Sequence, residues 1–322
     1  MPRVLVTGAN GFLGRPLCAY LSERGHAAAA AVRSRGAGVA PGIDVFVTGD
    51  LAASPDLSEV LSGVQAVVHL AGRAHVMRET SVDPEAAFHR ANVDATRHLA
   101  QQAALAGVRR LVFLSSVKVN GERTSDRPFT EADPPAPEDA YGRSKWAAER
   151  VLAEIALATG LDVVVMRPPL VYGPGVKGNF LRLLRLADTA APLPLASVRN
   201  RRSLVSVWNL CSLIEVSISP PVAAGETFLA SDQQDLSTPG LIRALGEGLG
   251  RPSRLLPVPP PLIRGAGRLF GRGALVARLL DSLRVDSAKA TRLLGWRPAV
   301  SAGEGLRRTA AWYAETTRPP SQ

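Results

Sequence analysis

The opening of the chain constrains its fold more than any other stretch. Val4-Leu5-Val6 is a short apolar run that leads straight into Thr7-Gly8-Ala9-Asn10-Gly11-Phe12-Leu13-Gly14. Three glycines spaced by three follow a strand and open a helix, on which Leu13, Leu17 and Leu21 recur as one apolar stripe. Pro16 is acceptable there because it falls in the first turn. Such a turn lets backbone approach a pyrophosphate, and the N–H groups at the helix start carry partial positive charge toward it. A lone glycine triplet is weak evidence; between a strand and an amphipathic helix at the chain start it is strong.

The rest of the first half repeats the rhythm. Candidate strands are Arg3–Val6, Ala27–Arg33, Asp44–Thr48, Ala66–Leu70, Arg110–Ser115 and Val163–Met166, with helix candidates at Phe12–Arg24, Asp56–Leu61, Pro84–Ala106 and Tyr141–Thr159. Apolar strands alternating with helices predict an α/β fold, a doubly wound parallel sheet of the Rossmann type covered on both faces. Residues 1–168 are expected to form a dinucleotide-binding domain and 169–322 a smaller, mainly helical substrate domain. Pro168, Pro169, Pro174, Pro192 and Pro194 mark the change, and a strand candidate at Thr227–Ala230 predicts that part of 203–232 returns to the first domain. Pro257–Pro261 reads as a stiff joint. Leu262–Leu280, apolar with interspersed arginines, reads as a helix pair packed on the body, with an amphipathic membrane-surface helix as the alternative.

Charge and cysteine usage narrow the class. The net charge of +10 is carried by arginine, since lysine occurs only at Lys118, Lys145, Lys177 and Lys289. Met1 to Leu161 is neutral, with 17 basic and 17 acidic residues, whereas Asp162 to Gln322 carries 21 basic and 11 acidic ones. A basic second half points to an anionic partner: a phosphorylated metabolite, nucleic acid or a membrane surface. Aromatic residues are only 5%, which leaves little for base stacking and disfavours nucleic acid. Two distant thiols, Cys18 and Cys211, make neither a disulfide framework nor a zinc cluster, and a reducing cytoplasm is the expected location. No apolar run approaches the roughly 18 residues of a spanning helix, and the N-terminus lacks a secretory h-region. His26, His69, His75, His89 and His98 have no metal-ligand spacing with carboxylates or thiols, so no metal site is expected.

Candidate chemistry lies at two further places. Tyr141-Gly142-Arg143-Ser144-Lys145 sets a phenol and an ammonium four apart on one helix face. A free tyrosine, with a pKa near ~10, is a poor base at neutral pH; a nearby cation is expected to lower it toward the working range. Ser115-Ser116 ends the fifth strand, at the edge where open α/β sheets bind ligands, so a serine hydroxyl there can hold the reacting oxygen. At the end of the second strand Arg33-Ser34-Arg35 stands where a ribose-binding carboxylate is usual, which favours NADP over NAD. Asp50, with Leu51 beside it, reads either as an adenine contact or as the cap of the next turn.

These motifs resemble the extended short-chain dehydrogenases/reductases, the NAD-dependent epimerase/dehydratase family, over nearly the full length. His69-Leu70-Ala71-Gly72 resembles the family's fourth-strand segment, Ala91-Asn92-Val93-Asp94-Ala95-Thr96 its Asn-Val-x-Gly-Thr helix, Arg167-Pro168-Pro169-Leu170-Val171-Tyr172-Gly173-Pro174 its interdomain segment, and Leu293-Leu294-Gly295-Trp296 its Leu-Gly-Trp signature. The resemblance implies Ser116, Tyr141 and Lys145 as catalytic. It implies Gly8, Asn10, Gly11, Phe12, Leu13, Gly14, Arg33, Asp50, Leu51, Leu70, Ala71, Gly72, Asn92 and Arg167, together with Tyr141 and Lys145, around the cofactor. Ser116, Asn179, Arg202 and Arg284 are implied for substrate. Ser115 to Gly121, Gly175 to Phe180 and Asp235 to Pro239 are most similar to bacterial enzymes acting at C4 of UDP-sugars: the 4-epimerases, and the 4-keto reductases that make UDP-N-acetylquinovosamine for surface polysaccharides. Asn120 departs from the usual Val-Tyr-Gly, and Leu170 from an Arg-Pro-x-Asn segment. Dehydratases of the family carry an Asp-Glu pair after the catalytic serine or threonine, where this chain has Val117 and Lys118. The family is often dimeric through two first-domain helices, here Pro84–Ala106 and Tyr141–Thr159. The expected partner is therefore a UDP-sugar, with no nucleic acid and no stable membrane insertion. The rival from another class is a non-catalytic dinucleotide-sensing or scaffold protein on the same fold.

Overall fold

The computed structural model describes residues 2–36, 38–74, 81–189 and 191–317. Strand β1 (Arg3–Thr7) is apolar on both faces and sits inside a parallel sheet, because helices cover both sides. Val4 and Val6 face one core with Leu17, Cys18 and Leu21 of helix α1 (Gly14–Glu23); Leu5 faces the other. The remaining strands are β2 (Ala27–Val32), β3 (Asp44–Val47), β4 (Ala66–His69), β5 (Arg110–Leu114), β6 (Asp162–Arg167) and, beyond a two-stranded sheet of β7 (Leu170–Tyr172) with β8 (Leu204–Ser206), β9 (Thr227–Leu229). The large sheet runs β3-β2-β1-β4-β5-β6-β9, all parallel. Strand order reverses between β1 and β4, which places the ligand crevice at their carboxyl ends.

Around the sheet lie α2 (Ser58–Leu61), α3 (Pro84–His89), α4 (Ala95–Leu105), α5 (Ala140–Thr159), α6 (Gly178–Ala187), α7 (Val207–Ser217), α8 (Thr238–Gly248), α9 (Pro260–Leu269), α10 (Gly273–Leu280), α11 (Ala288–Leu294) and α12 (Ala302–Thr317). Two differences from the sequence reading have physical causes. The first helix starts at Gly14 rather than Phe12, because Gly8 to Leu13 are occupied by the turn. The helix expected over Pro84–Ala106 is interrupted by a π-turn at Arg90–Asp94, where Asn92 turns inward and bonds the loop after β4.

The segments after β6 attach at two places. Helix α7 packs on α1, and its Leu210, Cys211 and Ile214 join the same core as Val4 and Val6. Trp296 is buried there and donates to Ser212 Oγ at 2.9 Å, while Gly295, at φ 64°, ends α11 in the left-handed region. Elsewhere Tyr172, Phe180, Leu184, Leu241, Leu245 and Leu306 form a separate core, and Phe12 of the glycine turn packs against both. Leu262–Leu280 forms a helix pair, α9 and α10. No described helix is long and apolar enough to cross a membrane.

Candidate active site

The glycine turn is built so that backbone, not side chain, faces the crevice. Gly8 has φ 66°, and a Cβ there would lie 2.9 Å from the Ala71 nitrogen. A Cβ on Gly14 would lie 2.2 Å from the Gly8 carbonyl oxygen. The Gly11 amide donates to that same oxygen at 2.9 Å, which closes the turn. No side chain caps the start of α1 at Leu13; the Arg15 amide donates to the Gly11 carbonyl at 3.2 Å, and the positive end of the helix faces the turn. These features fit the diphosphate of a dinucleotide. Gly14→Ala is expected to strain this packing by about 1–3 kcal/mol and to weaken dinucleotide binding, read together by thermal melting and titration.

A polar chain ties this turn to the next strand. Register sets Thr7 opposite His69. The Thr7 hydroxyl accepts from the Ala71 amide at 3.2 Å and lies 2.7 Å from His69 Nδ1, so it donates to that nitrogen. Thr96 Oγ1 donates to the Asn92 carbonyl at 2.6 Å and lies 3.0 Å from His69 Nε2, which must then carry the ring proton. Burial, helped by the nearby Lys145 ammonium, pulls the His69 pKa down to about 3, so the ring is neutral. Leu70, Ala71 and Gly72 are thereby fixed along the crevice. Asn92 Oδ1 accepts from the Arg73 amide at 2.7 Å, and its Nδ2 donates to the Arg73 carbonyl and to Ser144 Oγ. A Cβ on Gly72 would lie 2.8 Å from Asn92 Oδ1 and 3.5 Å from Lys145 Nζ, so this loop runs close over the lysine.

Ser116, Tyr141 and Lys145 come together at the carboxyl end of β5. Asp139 Oδ1 accepts from the Gly142 amide at 2.7 Å and caps α5, which fixes where Tyr141 emerges. Tyr141 hydrogen-bonds to Ser116, and its ring packs on Phe88 with centroids 6.0 Å apart. Ser116 Oγ also accepts from the Lys118 amide at 3.2 Å. Lys145 Nζ donates to the Leu114 carbonyl at 2.8 Å and lies 4.5 Å from the centre of the Phe113 ring.

The electrostatics correct one expectation. The Tyr141 phenol is not acidified: burial pushes its pKa up to about 12, with the Ser116 hydrogen bond pulling the other way and Asp139 adding to the rise. Lys145 is drawn to a carbonyl and a ring face, and burial brings its own pKa down to about 8 against the pull of Glu149. At neutral pH the Tyr141 phenol therefore keeps its proton.

Behind the triad lies a residue that the sequence reading missed. Glu149 is buried and accepts from Ser115 Oγ and from both Nε (3.0 Å) and Nη2 (2.5 Å) of Arg167. Arg167 Nη1 donates to Asn120 Oδ1 at 3.2 Å. The guanidinium of Arg167 is thus engaged inside the protein rather than presented at the crevice. The available signal was spacing: Glu149 follows Lys145 by four residues, on the same helix face.

The other sequence candidates are placed as follows. Asp50 caps the short turn at Leu51–Ala53 through the Ala52 amide, and its Oδ2 is 3.4 Å from Arg33 and 3.3 Å from Arg90. Two guanidiniums therefore flank the ends of β2 and β3. Asn179 lies in the first turn of α6, just after a loop in which Gly175 approaches Phe12. Arg202 Nη1 donates to the carbonyls of Arg278 and Asp281, and Arg284 Nε donates to Asp235 at 2.8 Å. Leu283 and Val285, on either side of Arg284, pack on Val117, the neighbour of Ser116. Both arginines are thus engaged by groups of the protein itself. Among the described residues no cluster of His, Cys, Asp and Glu could hold a metal ion; His75 lies outside them.

Known proteins are similar to this chain in sequence and fold. The model of the NAD dependent epimerase/dehydratase family matches residues 4–227. A UDP-glucose 4-epimerase of Vibrio cholerae is 41% identical over 318 residues, 98% of this chain and 97% of that one. A dTDP-glucose 4,6-dehydratase from Streptomyces venezuelae, solved with NAD, is 27% identical with a TM-score of 0.77, covering 97% of both chains. A UDP-glucose 4-epimerase from Thermotoga maritima, 22% identical, shares the fold with a TM-score of 0.78 over 98% of this chain and 100% of that one. With a family model matching well over half its length and a relative aligned end to end, this chain is an enzyme of the NAD-dependent epimerase/dehydratase family.

Proposed function

We propose that the enzyme catalyses reversible hydride transfer at C4 of a UDP-hexose or UDP-N-acetylhexosamine, as a 4-keto reductase or 4-epimerase in surface-polysaccharide precursor synthesis. The observation that carries this reading is the Ser116–Tyr141 hydrogen bond at the end of β5, one helical turn from Lys145. The end-to-end relative named a UDP-glucose 4-epimerase supports the substrate class. NAD(P) supplies the hydride carrier when bound. Tyr141 gives a proton to the C4 oxygen as a ketone is reduced and takes it back in the reverse direction. Ser116 holds that oxygen, and Lys145 binds the nicotinamide ribose. Residues 1–168, with the returning part of 203–232, carry the cofactor, and the remainder of 169–322 caps the sugar. Asn179, Arg202 and Arg284 serve the UDP diphosphate and its sugar. Val117 and Lys118 supply no acid pair for dehydration, since Lys118 instead holds Glu122 and Asp139.

Within this reading NADP is the favoured cofactor. Arg33 and Arg90 converge on Asp50, and a pair of guanidiniums suits a ribose 2′-phosphate. Arg33→Asp is expected to weaken NADPH by about tenfold more than NADH. Equal effects on both, measured by fluorescence titration, overturn the assignment. To separate epimerase from reductase, the purified protein is denatured and the released nucleotide identified by mass. Retained NAD+ marks an epimerase; an empty protein that takes up NADPH and reduces a UDP-4-keto sugar marks a reductase. A homodimer through α3–α4 and α5 belongs to the same proposal, and light scattering tests it.

A further inference from the structure

The helix pair α9–α10 carries an apolar surface that no described residue covers. Its two helices are closely packed, since a Cβ on Gly267 would lie 2.6 Å from Val276. The turn between them passes through Gly271 at φ 64°, so Leu269 and Phe270 stand at the tip of a helical hairpin. They are 81% and 73% exposed. Leu262 is 64% exposed and lies seven residues before Leu269, two turns back along the same helix face. A short helix that shows leucines on its outer face while burying Gly267 on its inner one is not finished by its own fold.

Charge identifies what finishes it. From Arg251 to Leu280 the chain has six arginines and no acidic residue. Arg251 and Arg264 pair with Asp188 and Asp281. Arg268 and Arg272, which bracket the apolar tip, are exposed, and among the described residues no carboxylate pairs with them. Apolar side chains at a tip, rimmed by unneutralised guanidiniums, match the interface of an anionic bilayer: hydrocarbon receives the leucines and the phenyl ring while lipid phosphates meet the arginines. A nucleic acid would meet the arginines but leave the leucines in water. Pro259 and Pro260 begin α9 and stiffen its approach, so the hairpin is a preformed element rather than a segment that orders on contact.

We propose that the α9–α10 hairpin docks this enzyme on the surface of anionic lipid membranes, lying in the headgroup layer without crossing it. The test uses the full-length protein and sedimentation with vesicles of phosphatidylcholine alone or mixed with phosphatidylglycerol. Binding is expected only to the mixed vesicles. It should weaken as salt rises, because the Debye length shrinks from about 10 Å at 0.1 M to about 3 Å at 1 M. The double variants Leu269→Asp/Phe270→Asp and Arg268→Glu/Arg272→Glu should each lower partitioning at least about tenfold, given roughly fivefold per arginine at such a surface. These side chains are solvent-exposed and none belongs to the catalytic, cofactor or substrate residues named above, so melting temperature and turnover on soluble substrate should stay at wild-type values. Failure of the wild type to bind mixed vesicles, or equal binding by the Asp variant, overturns the proposal. A dimer that the Asp variant dissociates, without vesicle binding by the wild type, assigns the face to a second copy and also overturns it. Arginine-dependent binding to duplex DNA in place of vesicles does the same.

Discussion

Tyr141→Phe is expected to fold and to bind NAD(P) like the wild type while losing at least about 100-fold in kcat. The substitution removes one atom, the phenolic oxygen that bonds Ser116. It leaves the ring in place against Phe88 and leaves the Asp139 cap of α5 intact, so neither packing nor helix position changes. Melting and cofactor titration check the intact parts, and turnover checks the missing one; unchanged turnover would remove Tyr141 as the acid. The wild-type pH dependence has a definite sign. With the phenol held up to about 12 by burial, the resting enzyme keeps its proton through the neutral range. The reductive direction should therefore be flat below neutrality and fall with a midpoint of about pH 8 as the Lys145 ammonium, brought down to about 8 by burial, is lost. The oxidative direction must first remove the proton and should climb with pH across the same window. Opposite slopes in the two directions are the signature; parallel profiles would place the proton elsewhere.

Much of this was legible in the sequence, and the limits of legibility have physical causes. β1 and the glycine turn could be read because backbone geometry there demands particular residues: a Cβ at Gly8 or Gly14 meets backbone at once. The parallel, doubly covered sheet followed from apolar runs separated by helices, because burial on both faces leaves a two-sided apolar pattern; its strand order comes from the structure. Ser116, Tyr141 and Lys145 could be brought together on paper because a strand end and a single helical turn fix them. The direction of the Tyr141 shift could not be read, since it depends on how much water the fold removes and on Lys145 turning toward Leu114. The π-turn at Arg90–Asp94 was hidden for a similar reason: it accompanies a reciprocal pair of hydrogen bonds between the Asn92 side chain and the Arg73 backbone, 19 residues away. Arg167 shows the opposite case. Its motif drew attention to it, but its partners Glu149 and Asn120 come from other elements, and only the fold shows that they engage its charge.

That buried pair yields the second large effect. The side chains of Arg167 and Glu149 are 6% and 5% exposed and meet in a two-pronged contact, so neither has water to fall back on. Glu149→Ala leaves a guanidinium in the interior with only Asn120 and removes the acceptor of Ser115 Oγ. An uncompensated buried charge of this kind costs about 3–5 kcal/mol, which is a large share of a typical protein's net stability. Glu149→Gln keeps the size and an acceptor oxygen but not the charge, and it should fall between wild type and Ala. Removing both charges at once is different: Glu149→Leu combined with Arg167→Met abolishes the desolvation cost along with the attraction and should regain most of what Glu149→Ala loses. Denaturant unfolding of the four proteins separates the contributions. If the double variant is no more stable than Glu149→Ala, the damage comes from Ser115 losing its acceptor rather than from a stranded charge. In that case turnover should fall with stability, because Ser115 directly precedes the serine that bonds Tyr141. If stability returns and turnover returns with it, the ion pair acts on catalysis only by holding the end of β5 in place.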